Sequence, residues 1–429
     1  MKFFEFTNRR GIKDFREYAA ERAIAFKDLN PTEENVRRLS VLDRQLAGKR
    51  FAYVGESDHF IHEKYAYRLL MLTYLARRGF THIGEEFGAS DGTRIDRFIA
   101  TGDDSILERI AMFGYTGALR TDRDDRPTGI LRDSFSLYPV AQFAAEQKRF
   151  ARGLRDISRP LESSSNHSRL HFFGFDIDAL PGGGYEDLGG ILETLPPGAT
   201  LGPIRSTLER VPGETIENEI ARLNEVIKLI GGESTLAGLR HSAACLRDSF
   251  EYVRITYPAK TLDALNPGMA FRERFMQRQI DHQLAQMRDG EKLALMSHNM
   301  HLCRAPEAVG GSDAAAGPGG KTGPPVGAWL ASRFPGEVFS VWMLIGRGTD
   351  SQPFPSLSNK IREKPGTLNT LLSEIGDCFV LPIDAADPRA RILTENIEIM
   401  HDANGGVRTA IARQADAIFS VRDVTPLQS

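Results

Sequence analysis

Residues 51–63 read FAYVGESDHFIHE, and this stretch decides the fold. The apolar run at its start, rich in aromatic and β-branched residues, is typical of a buried strand that stops at Gly55. Apolar residues then recur at helical spacing from Ile61, which predicts a helix. Glu56 and His59 therefore fall on the turn after the carboxyl end of a strand, where open α/β sheets bind their ligands.

A carboxylate and an imidazole on such a turn suit general-base catalysis. The acid orients the ring, and the ring takes a proton. The pattern Gly-Glu-x-x-His is short and common, so it needs support from the rest of the chain before it assigns a function.

Size and composition exclude several classes of protein. The chain has 429 residues, enough for a large core, and a formal net charge of -3, which gives no polyanion-binding signature. We therefore expect no nucleic-acid partner. No stretch is apolar enough for a signal peptide or a membrane span. The three cysteines are widely spaced, without metal-ligand spacing, which suits a reducing compartment and predicts a cytoplasmic protein.

Strands and helices alternate along much of the chain. After two predicted helices at 11–27 and 31–46, the decisive strand and its helix lead to a strand at 80–84 and a helix at 92–100. Further strands are predicted at 170–175, 292–297, 338–345, 378–381 and 417–421, with a helix around Trp329. This order favours an α/β fold, in which a mostly parallel sheet is flanked by helices.

One long region carries little strand pattern. Residues 185–290 read as helices, and we expect them to form an insertion that shapes part of the substrate cleft. The predicted organisation is therefore a first part of the core at 1–184, a helical insertion or cap at 185–290, and a second part of the core at 291–429. Loops are expected at 162–166, 181–185 and 310–325, and mixed helix and loop at 103–155.

Polar side chains follow four of the predicted strands. They are Glu56 with His59, Glu86, Asp176, and His298 with His301. Because the carboxyl ends of parallel strands meet at one edge of a sheet, these groups are predicted to line one crevice. Polar residues after four strands together are stronger evidence for a functional site than any one of them, since an isolated histidine at a strand end is more often structural.

At two places the sequence leaves open which way a charged side chain points. Only one of Glu85 and Glu86 can point inward along a strand, and period-two alternation favours Glu86. Arg68 lies on the apolar stripe of the first helix, where a guanidinium either snorkels to solvent or pairs with a carboxylate such as Glu56 or Glu86.

Two other kinds of site are excluded by local sequence. The glycine-rich run at 315–322 fits a relaxed phosphate-loop pattern, but the following Gly-Pro-Pro prevents a helix from starting there. No Gly-x-Ser-x-Gly follows a strand, so a serine nucleophile elbow is absent from the sequence. A hydrolase built on this chain is expected to activate water directly.

The chain resembles the erythromycin esterase family, the hydrolases that open the macrolide lactone ring. The resemblance spans roughly residues 51–348. It is carried in order by GESDHFIHE at 55–63, the strand from Gly-Phe at 79–80 to Glu-Phe-Gly at 86–88, FGFDI at 173–177, and SHNMH at 297–301.

The resemblance implies specific roles for matching residues. It makes His59 the base for water attack, Glu56 and Glu86 its acidic partners, Arg68 the helix arginine, and His298 and His301 the later histidines. It also implies a cleft between an α/β core and mostly helical elements, and hydrolysis without a covalent enzyme intermediate.

We therefore expect a hydrolase of carboxylic esters or lactones, with a small-molecule substrate. Candidate substrate-binding residues are Phe60, Glu63, Asp176 and Tyr185. Three alternatives stay open: a metal-dependent hydrolase using the same His and Glu residues, a biosynthetic acyl-transfer or cyclising enzyme, and a non-catalytic binder. No His-x-x-x-His pair lies on a helix, so we favour a site without metal or other cofactor. The sequence does not indicate an oligomeric state.

Overall fold

A computed structural model describes the protein at residues 9–110, 140–162, 169–179, 184–195, 198, 201–209, 214–261, 263–310, 322–352, 359–401 and 405–429. The chain forms two compact units. The first contains Met1–Ile83, Asp156–Leu170 and Met287–Ser429, and the second contains Gly84–Arg155 and His171–Gln286. The division at 184 and 290 that the sequence suggested stays a prediction.

The described strands, numbered in chain order, are β1 (Ile24–Ala25), β2 (Phe51–Glu56), β3 (Phe80–Gly88), β4 (His171–Asp176), β5 (Lys292–His298), β6 (Val338–Thr349), β7 (Lys360–Ile361), β8 (Cys378–Pro382), β9 (Ile397–His401), β10 (Gly405–Thr409) and β11 (Ala417–Val424). The described α-helices are α1 (Arg9–Arg22), α2 (Glu33–Arg38), α3 (Asp43–Leu46), α4 (Glu63–Ala76), α5 (Ala89–Thr101), α6 (Val140–Glu162), α7 (Gly184–Thr194), α8 (Leu201–Leu208), α9 (Ile216–Ile230), α10 (Ala237–Thr256), α11 (Asn266–Leu284), α12 (Val326–Arg333), α13 (Leu368–Ser373), α14 (Arg391–Thr394) and α15 (Ile411–Gln414).

A mostly parallel sheet forms the core of the first unit. Its strands lie in the order β1, β8, β11, β6, β2, β5 and β3. The neighbours β2–β5, β2–β6 and β6–β11 are parallel, whereas β8 pairs antiparallel with both β11 and β1. β2 is buried along its whole length, as expected for a strand with neighbours on both sides. The predicted α/β class is confirmed.

The register of β2 and β5 positions two of the polar residues. Gly55 faces Ser297 and Glu56 faces His298 in the parallel ladder. The two strands therefore end at the same level, so their terminal polar side chains lie close together. This part of the predicted arrangement follows from strand pairing alone.

The N-terminal segments differ from their prediction. The first helix ends at Arg22 instead of residue 27, because Ile24 and Ala25 pair with β8. The helix predicted at 31–46 is divided into α2, a 3₁₀ turn at Leu39–Leu42 and α3. Thr32 caps α2 by accepting a hydrogen bond from the Asn35 amide, which agrees with the predicted start.

The second unit contains the rest of β3, its neighbour β4, and a group of helices. β3 continues to Gly88 and α5 begins at Ala89, so the predicted strand end at 84 and helix start at 92 were wrong. Helix α5 packs closely on β4, because a Cβ on Gly92 would lie 1.9 Å from the Gly174 amide nitrogen. The helical character predicted for 185–290 is confirmed in its described residues by α7 to α11.

Several predicted segments lie partly outside the described residues. They are the turn at 181–185, the loops at 162–166 and 310–325, and part of the mixed region at 103–155. Within the described ranges, every helix is too short or too polar to span a bilayer.

Candidate active site

Glu56 and His59 form a close pair after β2. Glu56 is the last residue of the strand and is only 1% exposed, while the His59 side chain keeps 22% exposure. His59 Nδ1 lies 2.6 Å from Glu56 Oε1. A carboxylate only accepts hydrogen bonds, so Nδ1 carries the proton and Nε2 is the basic nitrogen. The pair therefore holds the tautomer that a general base requires.

Two cations from helix α4 keep Glu56 ionised. Arg68 Nη2 lies 2.8 Å from Oε2, and Lys64 Nζ lies 3.6 Å from Oε1. Both side chains are buried, and their spacing of four residues places them on one helix face. Burial by itself raises the pKa of Glu56, but the charges of Arg68 and Lys64 outweigh it and lower the pKa to about 2.

His298 lies beside this pair at the end of β5. Its ring centre is 5.3 Å from that of His59. The Met300 amide donates to Nδ1 at 3.3 Å, so Nδ1 is unprotonated and Nε2 donates to the Ser57 carbonyl at 3.3 Å. His298 is thus fixed by main-chain groups. His301 follows on the same turn, where its carbonyl accepts from the Gly327 amide at 2.8 Å.

Asn299 ties three neighbouring strands together. Its main-chain amide donates to the Glu56 carbonyl at 2.7 Å, and its side chain donates to the Met343 carbonyl on β6 at 3.0 Å. Gly55 allows this approach, because a Cβ there would lie 2.2 Å from Asn299 Oδ1. The site is therefore built on the sheet and not on a mobile loop.

Two candidate binding residues follow His59. The Phe60 amide donates to Asp58 Oδ1 at 2.7 Å, and the buried Phe60 ring stands edge-on to His59 with centroids 6.1 Å apart. Glu63 begins α4 and accepts hydrogen bonds from the Thr425 amide and hydroxyl at 2.9 and 2.7 Å. Their roles in substrate binding stay predictions.

Glu86 and Asp176 share a partner within the second unit. Arg272 of α11 lies 2.6 Å from Glu86 Oε1 through Nη2 and 2.8 Å from Asp176 Oδ1 through Nε. Asp176 is completely buried, and burial, with the nearby charge of Glu86, raises its pKa despite Arg272. The three residues form a charged cluster in the interior of this unit. The catalytic role of Glu86 stays a prediction.

β3 is buried on both faces, so Glu85 and Glu86 are both interior residues. The expectation that only one of them points inward was wrong, because Gln147 on α6 covers Glu85 at 3.4 Å while Arg272 covers Glu86. Tyr185, on α7, bonds through its hydroxyl to Glu219 and packs near the Phe250 ring. Its proposed contact with substrate stays a prediction.

The structure brings together Glu56, His59, Arg68 and His298 within the first unit, and Glu86 and Asp176 within the second. Sequence reasoning missed Lys64, Asn299 and Arg272. The spacing of Lys64 four residues before Arg68 could have identified it as a second cation on the same face. Among the described residues, no group of three or more His, Cys, Asp or Glu side chains is arranged to hold a metal ion.

The fold and the site define the class of protein, an α/β protein with a carboxylate-bound imidazole at the carboxyl end of a mostly parallel sheet. The sequence profile of the erythromycin esterase family matches residues 75–424. The chain therefore belongs to the erythromycin esterase family, which confirms the resemblance and places the chain among the hydrolases. The matched residues include Glu86, Asp176 and His298, and they begin after Glu56 and His59.

Solved structures share the fold. A Bacillus cereus protein matches with a TM-score of 0.70 and 14% identity, over 97% of this chain and 98% of that one. A succinoglycan biosynthesis protein matches with a TM-score of 0.68 and 16% identity, over 96% and 97%. A histidine-to-asparagine mutant of the erythromycin esterase EreC in an open conformation matches with a TM-score of 0.57 and 17% identity, over 93% and 97%. No curated protein sequence matches the chain.

Proposed function

We propose that the protein hydrolyses carboxylic esters or lactones, with His59 removing a proton from the attacking water. One observation carries the proposal: Nδ1 of His59 is 2.6 Å from a Glu56 carboxyl group whose pKa is about 2. The ring is therefore held by an ionised carboxylate in the tautomer whose Nε2 accepts a proton.

The surrounding charges support each step. When water attacks the substrate carbonyl, its proton passes to His59 Nε2 and the resulting imidazolium is stabilised by Glu56. Arg68 and Lys64 keep Glu56 ionised, so that it orients the ring without itself taking the proton. Water forms the new bond to carbon directly, and no covalent bond to the enzyme is needed.

The leaving alkoxide requires a proton donor. Both ring nitrogens of His298 bond to main-chain groups, so we assign His298 a positioning role next to His59. His301, on the same turn and partly exposed, is our candidate for protonating the leaving oxygen or stabilising the oxyanion. We further propose that the reaction needs no metal.

Mass spectrometry tests the proposal. A panel of macrolide lactones and simpler esters is incubated with the parent protein and with His59→Ala. A macrolide-type lactone is our first substrate class, because the family match and the fold of EreC both point to it. We expect the parent to add one water to a panel member, and His59→Ala to lose activity by a factor of at least about 10².

A neighbouring histidine provides the matched control. His62, three residues further on, has no part in the proposed mechanism, and His62→Ala should keep activity within about twofold of the parent. His59→Ala activity within several-fold of the parent would exclude the base role. Loss of parent activity with a chelator, together with bound metal by elemental analysis, would replace water activation by His59 with metal-bound water.

A further inference from the structure

The second unit contains a polar cavity that the proposed mechanism does not use. Its volume is about 160 Å³, and it lies among α5, β4, α7, α10 and α11. A single water needs only about 10–15 Å³, so the space admits a small molecule. Polar side chains on its wall include Ser90, Asp178, Asp187, His241, Cys245 and His282. The lining shares no residue with the cluster around His59.

One wall residue has an unused acceptor. Asp178 is 1% exposed, and its Oδ2 accepts from the Ser90 amide at 3.3 Å, at the start of α5. Its Oδ1 has no hydrogen-bond partner within the described part of the chain. A buried acceptor without a partner costs about 1–3 kcal/mol, so this oxygen requires an explanation beyond helix capping.

Asp178 lies near two other carboxyl groups, those of Asp91 and Asp187. Arg94 pairs with Asp91 at 3.2 Å and with Asp187 at 3.1 Å. Asp91 and Asp187 thus share the Arg94 guanidinium, whose charge also acts on Asp178, and in the described structure Asp187 Oδ2 has no hydrogen-bond partner. Burial and the neighbouring carboxylates raise the pKa of both Asp178 and Asp187 to about 7. Ionising both Asp178 and Asp187 is therefore unfavourable without a further positive charge nearby.

The other titratable groups on the wall do not supply that charge. His241 and His282 stack with ring centres 3.5 Å apart and planes 7° apart. Burial and the facing His282 lower the pKa of His241 to about 4, and burial lowers that of His282, so both rings are neutral near pH 7. Burial raises the pKa of the Cys245 thiol to about 12. Parallel stacked rings also do not converge on one metal ion.

We propose that this cavity binds a small organic cation through its primary ammonium group. The ammonium would donate to Asp178 Oδ1 and Asp187 Oδ2, wall oxygens that have no hydrogen-bond partner among the described residues, and would supply the further positive charge. The remaining polar wall would accept a short hydroxyl-bearing chain. The proposal stands on the cavity and its charges, independently of the ester hydrolysis proposed for His59.

Isothermal titration calorimetry of the full chain tests this site. The probes are ethanolamine and ethylene glycol, which have similar size but differ in charge. We expect ethanolamine to bind with one site per chain and ethylene glycol to bind at least about tenfold more weakly. Near pH 7 ethanolamine binding should release protons, because the ammonium favours the ionised forms of Asp178 and Asp187. The number of protons released is obtained by measuring the heat of binding in two buffers of different ionisation enthalpy.

Two variants and a control locate the site. Asp178→Asn and Asp187→Asn should each weaken ethanolamine binding by about tenfold or more. Asp248→Asn is the control, because Asp248 is a buried aspartate on α10 that pairs with Arg247 and Arg278 and does not line the cavity. Absence of ethanolamine binding, equal binding of ethylene glycol, or parent-like affinity in a folded cavity variant would each overturn the proposal.

Discussion

The Lys64 ammonium and the His59 imidazole approach the same oxygen of Glu56. Nζ lies 3.6 Å and Nδ1 lies 2.6 Å from Oε1. Lys64 is buried, so its charge acts through protein rather than water, where electrostatic interactions are stronger. The lysine therefore helps Arg68 to keep Glu56 ionised, so that the carboxylate can hold the His59 ring.

Replacing Lys64 by Met should raise the pKa of Glu56, because the charge of Lys64 is one of those that lower it. The acidic pH at which the stability contributed by Glu56 is lost should then move to higher pH, by roughly half a unit to one unit. Denaturant unfolding of the parent and the variant at a series of acidic pH values measures this midpoint. Lys64→Arg keeps the charge and should restore the parent midpoint. An unchanged midpoint in Lys64→Met would show that the lysine is only structural.

Glu56→Gln should destabilise the fold in a pH-dependent way. The ordinary pKa of 4.5 falls to about 2 in the folded protein. The carboxylate therefore contributes stability, about 3 kcal/mol at 1.36 kcal/mol per pKa unit, that is complete above pH 4.5 and lost as the pH falls through 2. The variant also leaves Arg68 and Lys64 without their anion.

Denaturant unfolding of parent and Glu56→Gln at several pH values checks this. We expect a deficit of about 3–5 kcal/mol near pH 7 that narrows on acidification. Glu33→Gln is the control, because Glu33 is 83% exposed and its pairing with Arg77 lies at the surface. Its unfolding midpoint should stay close to that of the parent at every pH. A deficit in Glu56→Gln that is constant with pH would contradict the ion-pair explanation.

Arg272→Met should destabilise the fold, because it removes the cation that Glu86 and Asp176 share. We expect a loss of about 3–5 kcal/mol in the free energy of unfolding near neutral pH, because two buried carboxyls lose their shared cation. An acid whose pKa is raised in the folded protein destabilises the fold only at pH values where the same acid is ionised in the unfolded chain. The deficit should therefore be small below the ordinary aspartate pKa of 3.8 and grow as the pH rises.

A second arginine on α11 separates this effect from general loss of charge. Arg278 pairs with Asp248 but is 49% exposed, so Arg278→Met should cost about 1 kcal/mol or less at any pH. Equal effects of the two substitutions in pH-dependent unfolding experiments would show that Arg272 has no special role in neutralising Glu86 and Asp176.

Sequence patterns predicted the sheet where strands are long and apolar. β2, β5 and β6 are continuous hydrophobic runs bounded by polar or glycine residues, so their positions follow from burial on both faces. The two-residue strands β1 and β7 were missed, because only the pairing partner makes such a short segment a strand. Tertiary contacts, not local preference, decide these elements.

The residues of the candidate site were predictable only where they follow strand ends. Glu56 and His298 follow directly from two strand ends, and their adjacency follows from parallel pairing. Arg272 was not predictable, because it comes from a helix 96 residues after Asp176 in a region without a recognisable motif. Spacing can place residues along one element, but it cannot bring a distant helix to a strand end.

Gly55→Ala should disturb the site through Asn299. The added Cβ would lie 2.2 Å from Asn299 Oδ1 and 3.3 Å from the Trp342 ring, so the amide must move away from the Met343 carbonyl. We expect a loss of about 1–3 kcal/mol in unfolding free energy and a fall in kcat as Glu56 shifts. Gly238→Ala, on α10 with open space around the new methyl, should change stability by at most about 1 kcal/mol, upward. Parent-like kcat in Gly55→Ala would mean that Asn299 does not position Glu56.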